Sequence, residues 1–81
     1  MFKNKNGASN NLCGKNVCKF RCANFPGLSQ RMLANRLQLA GLDVDKNAVQ
    51  RIESGQRFVT DIELVALSRI LHVSPEELLE Q

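Results

Sequence analysis

The chain has no tryptophan and no tyrosine, and four phenylalanines bring its aromatic content to only 5%. A surface that stacks the bases of a single strand on successive rings is therefore not built into it. Histidine occurs once, and neither a nucleophile elbow nor a cluster of carboxylates is present. Nothing assembles into a catalytic centre, so neither an enzyme nor a small-molecule substrate is expected. No apolar run approaches the ~20 residues that cross a bilayer. The opening MFKNKNGASNN also lacks the apolar stretch of a secretion signal, so the expectation is a cytoplasmic protein with no membrane contact.

The three cysteines, Cys13, Cys18 and Cys22, include no Cys-x-x-Cys pair. Cys13 falls on a core position, while Cys18 and Cys22 stand one helical turn apart with His72 as the available fourth ligand. Ordinary reduced thiols are expected ahead of a zinc site, and no metal or other cofactor is implied. Without a secretion signal a disulfide framework is not expected either. Asp43-Val44-Asp45-Lys46-Asn47 imitates the first half of a calcium loop, but Ala48 replaces the sixth-position glycine and Ser54 the twelfth-position glutamate. Helix capping explains those aspartates.

Acidic residues are missing from the whole first half. Residues 1–42 carry seven Lys and Arg and no acid, residues 43–57 are balanced, and residues 58–81 carry a net −4, within an overall +3. Such polarity suits one face for a polyanion and another kept away from it.

With 81 residues and 43% apolar content, the chain is one small domain with a modest core. Residues 1–11, rich in Asn and Lys, read as a flexible tail, and residues 12–81 as the folded domain. A first helix is predicted from Leu12 to Ala23, burying Cys13, Val17 and Phe20. Asn24-Phe25-Pro26-Gly27 breaks it. Ser29 caps a second helix that turns Met32, Leu33, Leu37 and Leu39 inward, and Gly41 ends it so that Leu42 folds back on Leu37. Asp45 caps a third helix, Lys46 to Ser54, closed by Gly55. Thr60-Asp61-Ile62-Glu63 has the form of a capping box opening a fourth helix with the face Leu64, Leu67, Ile70 and Leu71. Ser74-Pro75-Glu76-Glu77 opens a fifth that contributes Leu78 and Leu79. The fold class is all-α, a compact five-helix bundle.

The third helix carries the chemistry. Val49 and Ile52, three apart, anchor it, leaving Lys46, Asn47, Gln50 and Arg51 to point outward. Arg and Lys suit the guanine edge and Asn and Gln the adenine edge, so the segment fits a DNA groove.

Gly14-Lys15 with Val17, Phe20 and Arg21 lead, in order, to Leu28-Ser29-Gln30, Leu33-Ala34 and Val49 through Gly55. Leu64, Ser68, Leu71, Val73, Ser74 and Leu78-Leu79 complete the series. Over residues 12–80 this order resembles the phage-repressor/Cro-like (Xre) helix-turn-helix regulators. The resemblance implies a lambda-repressor-like DNA-binding domain whose second and third helices form the helix-turn-helix. Lys46, Asn47, Gln50 and Arg51 would meet base edges, and Gln30 the DNA backbone. Arg57, just past the reading helix, is a further backbone candidate. Arg21 and Glu53 match positions that tend to pair in the family, and a bidentate pair there would be structural. The implied function is sequence-specific binding of double-stranded DNA as a transcriptional regulator, in the first instance a repressor. Domains of this type bind two half-sites as a two-fold homodimer, for which the C-terminal helix is the expected surface. Two other readings stand beside it: an antitoxin- or antirepressor-like module that binds another protein, and a thiol-based redox-sensing regulator. The chain departs from the family in a longer connection around Gln38–Leu42, which can lengthen helix two, enlarge the turn, or do both.

Overall fold

The computed structural model describes residues 9–81, and among them five helices appear. They are α1 (Gly14–Asn24), α2 (Gln30–Leu39), α3 (Lys46–Glu53), α4 (Asp61–Leu71) and α5 (Pro75–Leu79). Four of the five starts follow from local chemistry. The side chains of Ser29, Asp45, Thr60 and Ser74 accept the backbone N–H of Met32, Ala48, Glu63 and Glu77, satisfying donors that a helix leaves unpaired. Thr60 with Glu63 and Ser74 with Glu77 complete reciprocal capping boxes.

The core is one cluster in which Val17, Leu33, Leu37, Val44, Val49, Ile52, Leu67, Leu71 and Leu78 are all but inaccessible to solvent. α2 and α3 pack on each other, α1 lies across α3, and α4 and α5 close the far side. The fully buried Leu78 ties the short α5 into this core, leaving Leu79, 40% exposed, as its outward leucine.

Three expectations are corrected. Met32 and Leu39, assigned inward, lie 46% and 89% exposed. The inward face of α2 is Leu33, Ala34 and Leu37, and at about 100° per residue Met32 and Leu39 fall on the opposite side. α1 begins at Gly14 instead of Leu12, because the Asn11 side chain accepts the Gly14 N–H at 2.7 Å and sets the first turn there. Of the tail assigned to residues 1–11, residues 1–8 lie outside the described residues. Ser9 to Asn11 are held against the end of α3: the Asn10 N–H donates to the Gly55 carbonyl at 2.6 Å, and its side chain to the Gln56 carbonyl at 2.8 Å.

The long α2–α3 connection combines both expected forms. α2 runs on through Leu39, and Gly41 at φ +93° then adopts the left-handed conformation. The Leu42 N–H reaches back to the Leu37 carbonyl and the Gly41 N–H to the Gln38 carbonyl, both at 3.0 Å, which makes a Schellman turn. An enlarged turn follows, in which Val44 enters the core and the Gln38 amide donates to the Val44 carbonyl at 3.0 Å.

Candidate nucleic-acid interface

α3 divides cleanly around its axis. Ala48, Val49 and Ile52 are buried, while Lys46, Asn47, Gln50 and Arg51 are exposed. At about 100° per residue the four exposed side chains occupy an arc of roughly 140°, and the apolar anchors fill the other side. The Asp45 carboxylate accepts the Ala48 N–H at 2.8 Å and fixes the first turn. At the other end, Gly55 at φ +83° lets the chain leave sharply, and the Gln56 N–H bonds the Arg51 carbonyl at 2.8 Å. The helix therefore presents two amides and two cations from a framework pinned at both ends. Ala48 is an anchor that sequence reading overlooked, because a small residue gives little periodic signal.

Behind α3 lies a polar cluster. Arg21 donates from Nε to Glu53 Oε2 at 2.7 Å and from Nη2 to Oε1 at 3.0 Å. Its Nη1 donates to the Leu28 carbonyl at 2.7 Å. The two side chains are only 13% and 6% exposed, and the carboxylate beside it holds the Arg21 guanidinium above its ordinary pKa. One ion pair thus joins α1, the loop before α2 and the last residue of α3.

Gln30 joins this cluster. Its Nε2 donates to Glu53 Oε1 at 2.9 Å, so its amide is already oriented by the pair. It opens α2, where the Gln30 and Arg31 N–H groups precede the Ser29 cap bond to Met32. Free N–H groups and a positive dipole end favour phosphate at that position.

Arg57 is placed differently. Its Nη1 and Nη2 donate to the Glu63 carboxylate at 2.9 and 3.0 Å, with a further bond to the Phe58 carbonyl at 3.3 Å. The same carboxylate closes the capping box by accepting the Thr60 N–H. The Arg57 guanidinium beside it holds the Glu63 carboxyl below its usual value. The capping box marked Glu63 in the sequence; its second role as partner of Arg57 went unread.

A second brace was not foreseen at all. The Asn11 side chain donates to the Ile52 carbonyl at 3.1 Å and to the Arg57 carbonyl at 2.7 Å while accepting from Gly14. It stitches the start of α1 to the exit of α3. Here the helices approach so closely that a Cβ on Gly14 would strike the Ile52 carbonyl oxygen.

The thiols do not gather. Cys13 is buried, Cys18 half-buried and Cys22 exposed. Burial pushes the Cys13 and Cys18 thiols up, and Glu53 adds to the rise at Cys18, which lowers the thiolate fraction on which oxidation depends. His72 stacks edge-on against Phe25, with ring centroids 5.2 Å apart. Among the described residues no group of three His, Cys, Asp or Glu could hold a metal ion, and no helix is long and apolar enough to cross a membrane.

A helix-turn-helix family model matches residues 26–78, which takes in α2, α3 and α4. Among solved structures, the chain is similar to the restriction-modification controller protein C.AhdI from Aeromonas hydrophila. Identity is 35%, with 80% of this chain and 84% of that chain covered and a TM-score of 0.65. Nothing among curated proteins matches the chain.

Proposed function

The chain belongs to the helix-turn-helix family of DNA-binding transcriptional regulators, and from that premise we propose that it reads the major groove of double-stranded DNA with α3. The observation that carries this reading is the division of α3, with Ala48, Val49 and Ile52 buried and Lys46, Asn47, Gln50 and Arg51 exposed. In the groove, Arg51 and Lys46 meet guanine O6 and N7, and Gln50 and Asn47 meet adenine N6 and N7. Gln30, oriented by Glu53, holds the phosphate backbone together with the N-terminus of α2. Arg57 contributes to the backbone contact by exchanging one of its Glu63 bonds for phosphate.

The Arg21–Glu53 pair serves as a strut. It fixes the last turn of α3 relative to α1 and α2, so that the reading side chains enter at one angle. Residues 9–81 form the DNA-binding domain, since Asn10 and Asn11 are bonded to the end of α3. Two copies related by a two-fold axis would set their α3 helices about 34 Å apart, one turn of duplex. By occupying its site the protein acts as a repressor. The 35% identity to a restriction-modification controller supports regulation over a role in binding another protein.

Selection of DNA sequences by the purified protein tests the reading. The expected result is a palindrome with half-sites about one helical turn apart. Recovery of no enriched sequence, with affinity that depends on salt alone, would sink it.

A further inference from the structure

Two of the three thiols stand together on α1. Cys18 and Cys22 are four residues apart within one continuous helix, so they share a side of it with Cβ atoms about 5–6 Å apart. Cys22 is exposed and Cys18 half-buried, whereas Cys13 is sunk in the core and takes no part. A disulfide between positions 18 and 22 does not fit, because it draws the two Cβ atoms to about 3.5–4.5 Å. A bridging ion replaces the single S–S bond by two metal–sulfur bonds, each about 2.3 Å if the zinc value is taken, and suits the wider gap.

The surroundings supply a matching charge. Arg21 Nη2 lies 3.9 Å from Cys18 Sγ and 3.0 Å from Glu53 Oε1, so one guanidinium nitrogen faces both groups. The Cys18 thiol is itself hydrogen-bonded to Glu53. Two thiols that take up a monovalent ion release two protons, and the product, S–M–S, carries one negative charge. No electron is transferred. Arg21 is the counter-charge for that anion. Thiolate sulfur selects soft ions, and a linear d10 ion is satisfied by two of them. Zinc seeks four ligands, and among the described residues no third His, Cys, Asp or Glu completes such a set.

We propose that Cys18 and Cys22 form a two-coordinate site for a thiophilic monovalent ion of the copper(I) class, and that its occupation loosens the Arg21–Glu53 strut. The anionic bis-thiolate competes with Glu53 for Arg21, and Cys18 gives up the proton that bonds the carboxylate. The hold on the last turn of α3 weakens, so the ion lowers affinity for the DNA site. Binding of the ion and loosening of the strut stand on this geometry alone. The effect on DNA rests on the reading of α3 in the preceding subsection.

Anaerobic titration of the full chain with copper(I), buffered by a chromogenic chelator, tests the site without DNA. Wild type is expected to take one ion per chain at any protein concentration. Cys22→Ser, at an exposed position, should hold it about a hundredfold less tightly, because one thiolate lacks the advantage of two linked ligands. Cys13→Ala should keep it, and excess zinc(II) should not displace it. Equal affinity in wild type and Cys22→Ser would overturn the proposal, as would one ion shared between two chains. Amide hydrogen exchange then reads the strut. The Ser54 and Gly55 N–H groups, bonded to the Gln50 and Ile52 carbonyls, should exchange faster with the ion bound. Unchanged exchange in the loaded wild type would refute the coupling. With the selected DNA, copper(I) should weaken wild type about tenfold, within the usual range of coupling between sites, and leave Cys22→Ser unmoved. Faster exchange in a protein that binds no DNA would uphold the site and overturn the reading of α3 instead.

Discussion

Removing Arg21 offers the most direct measure of what holds α3 in place. In Arg21→Ala the Glu53 carboxylate, 6% exposed, loses both guanidinium bonds and keeps the Gln30 amide and the neighbouring Cys18 thiol. The Leu28 carbonyl loses its Nη1 donor as well. Breaking a buried pair by deleting one partner costs about 3–5 kcal/mol, because a charge is left without its counterion. The remaining Gln30 bond places the expectation near ~3 kcal/mol. For a domain of this size each kcal/mol moves Tm by roughly 4–8 °C, so a fall of about 12–24 °C is expected. Urea denaturation followed by circular dichroism gives the free energy directly. The full cycle with Glu53→Ala should show a coupling of about 2 kcal/mol, the double variant losing less than the two singles combined. Replacing both partners by apolar residues, Arg21→Met with Glu53→Leu, should recover most of the stability. The same protein should still bind DNA less tightly at every sequence, since Gln30 has lost its anchor. An Arg21→Ala protein within ~0.5 kcal/mol of wild type would refute the strut.

Gln50→Ala and Arg51→Ala are each expected to lose roughly 1–3 kcal/mol at the selected site and to blur base preference, whereas Gln30→Ala should weaken all sequences alike. Competition binding against single-base variants of the site reads this, and intact preference in Arg51→Ala would mean that α3 is wrongly placed. Stability should also depend on Glu63 in a defined pH window. Its carboxyl is held below the ordinary value of 4.5 by Arg57, so its contribution is complete above that pH and fades as pH falls through the lower folded value. Melts of wild type and Glu63→Gln should differ near neutrality and converge in acid; a constant difference would remove the ion pair from the account. Gly14→Ala, ordinarily favourable in a helix, should instead cost about 1–3 kcal/mol, because the new methyl meets the Ile52 carbonyl oxygen. A melt equal to wild type would show that α1 and α3 separate easily.

What could be read from the sequence follows the range of the interactions involved. Ser29, Asp45, Thr60 and Ser74 each bond an N–H three residues on, so four helix starts were legible from four short words. The division of α3 into a buried and an exposed face was legible for the same reason, since its apolar period runs within one short helix. Met32 and Leu39 are hydrophobic but out of phase with the inward face of α2, so composition alone points them the wrong way. Ala34, a smaller residue in the right phase, takes the inward position and lets α2 lie close on its neighbours. The start of α1 was missed because Asn11, whose side chain accepts the Gly14 N–H, is itself held by carbonyls 41 and 46 residues away. Gln30 and Arg57 were visible as polar and exposed in character, yet their carboxylate partners are 23 and 6 residues distant. A linear pattern does not encode such pairings.

The α2–α3 connection shows how a doubtful stretch becomes fixed by parts that are each ordinary. Its length alone left the angle between the two helices open. The Gly41 turn directs Leu42 back onto Leu37, Val44 is drawn into the core, and the Gln38 amide closes the turn on the Val44 carbonyl. Asp45 then caps α3 one residue later. With Asn11 and Glu53 holding the opposite end, α3 is constrained at both termini by side chains that do not reach its exposed face. If α3 reads the groove as proposed, specificity depends on residues that touch no DNA. Substitutions at Gln38 or Asn11 should therefore alter cognate binding more than nonspecific binding, because only the former requires one entry angle.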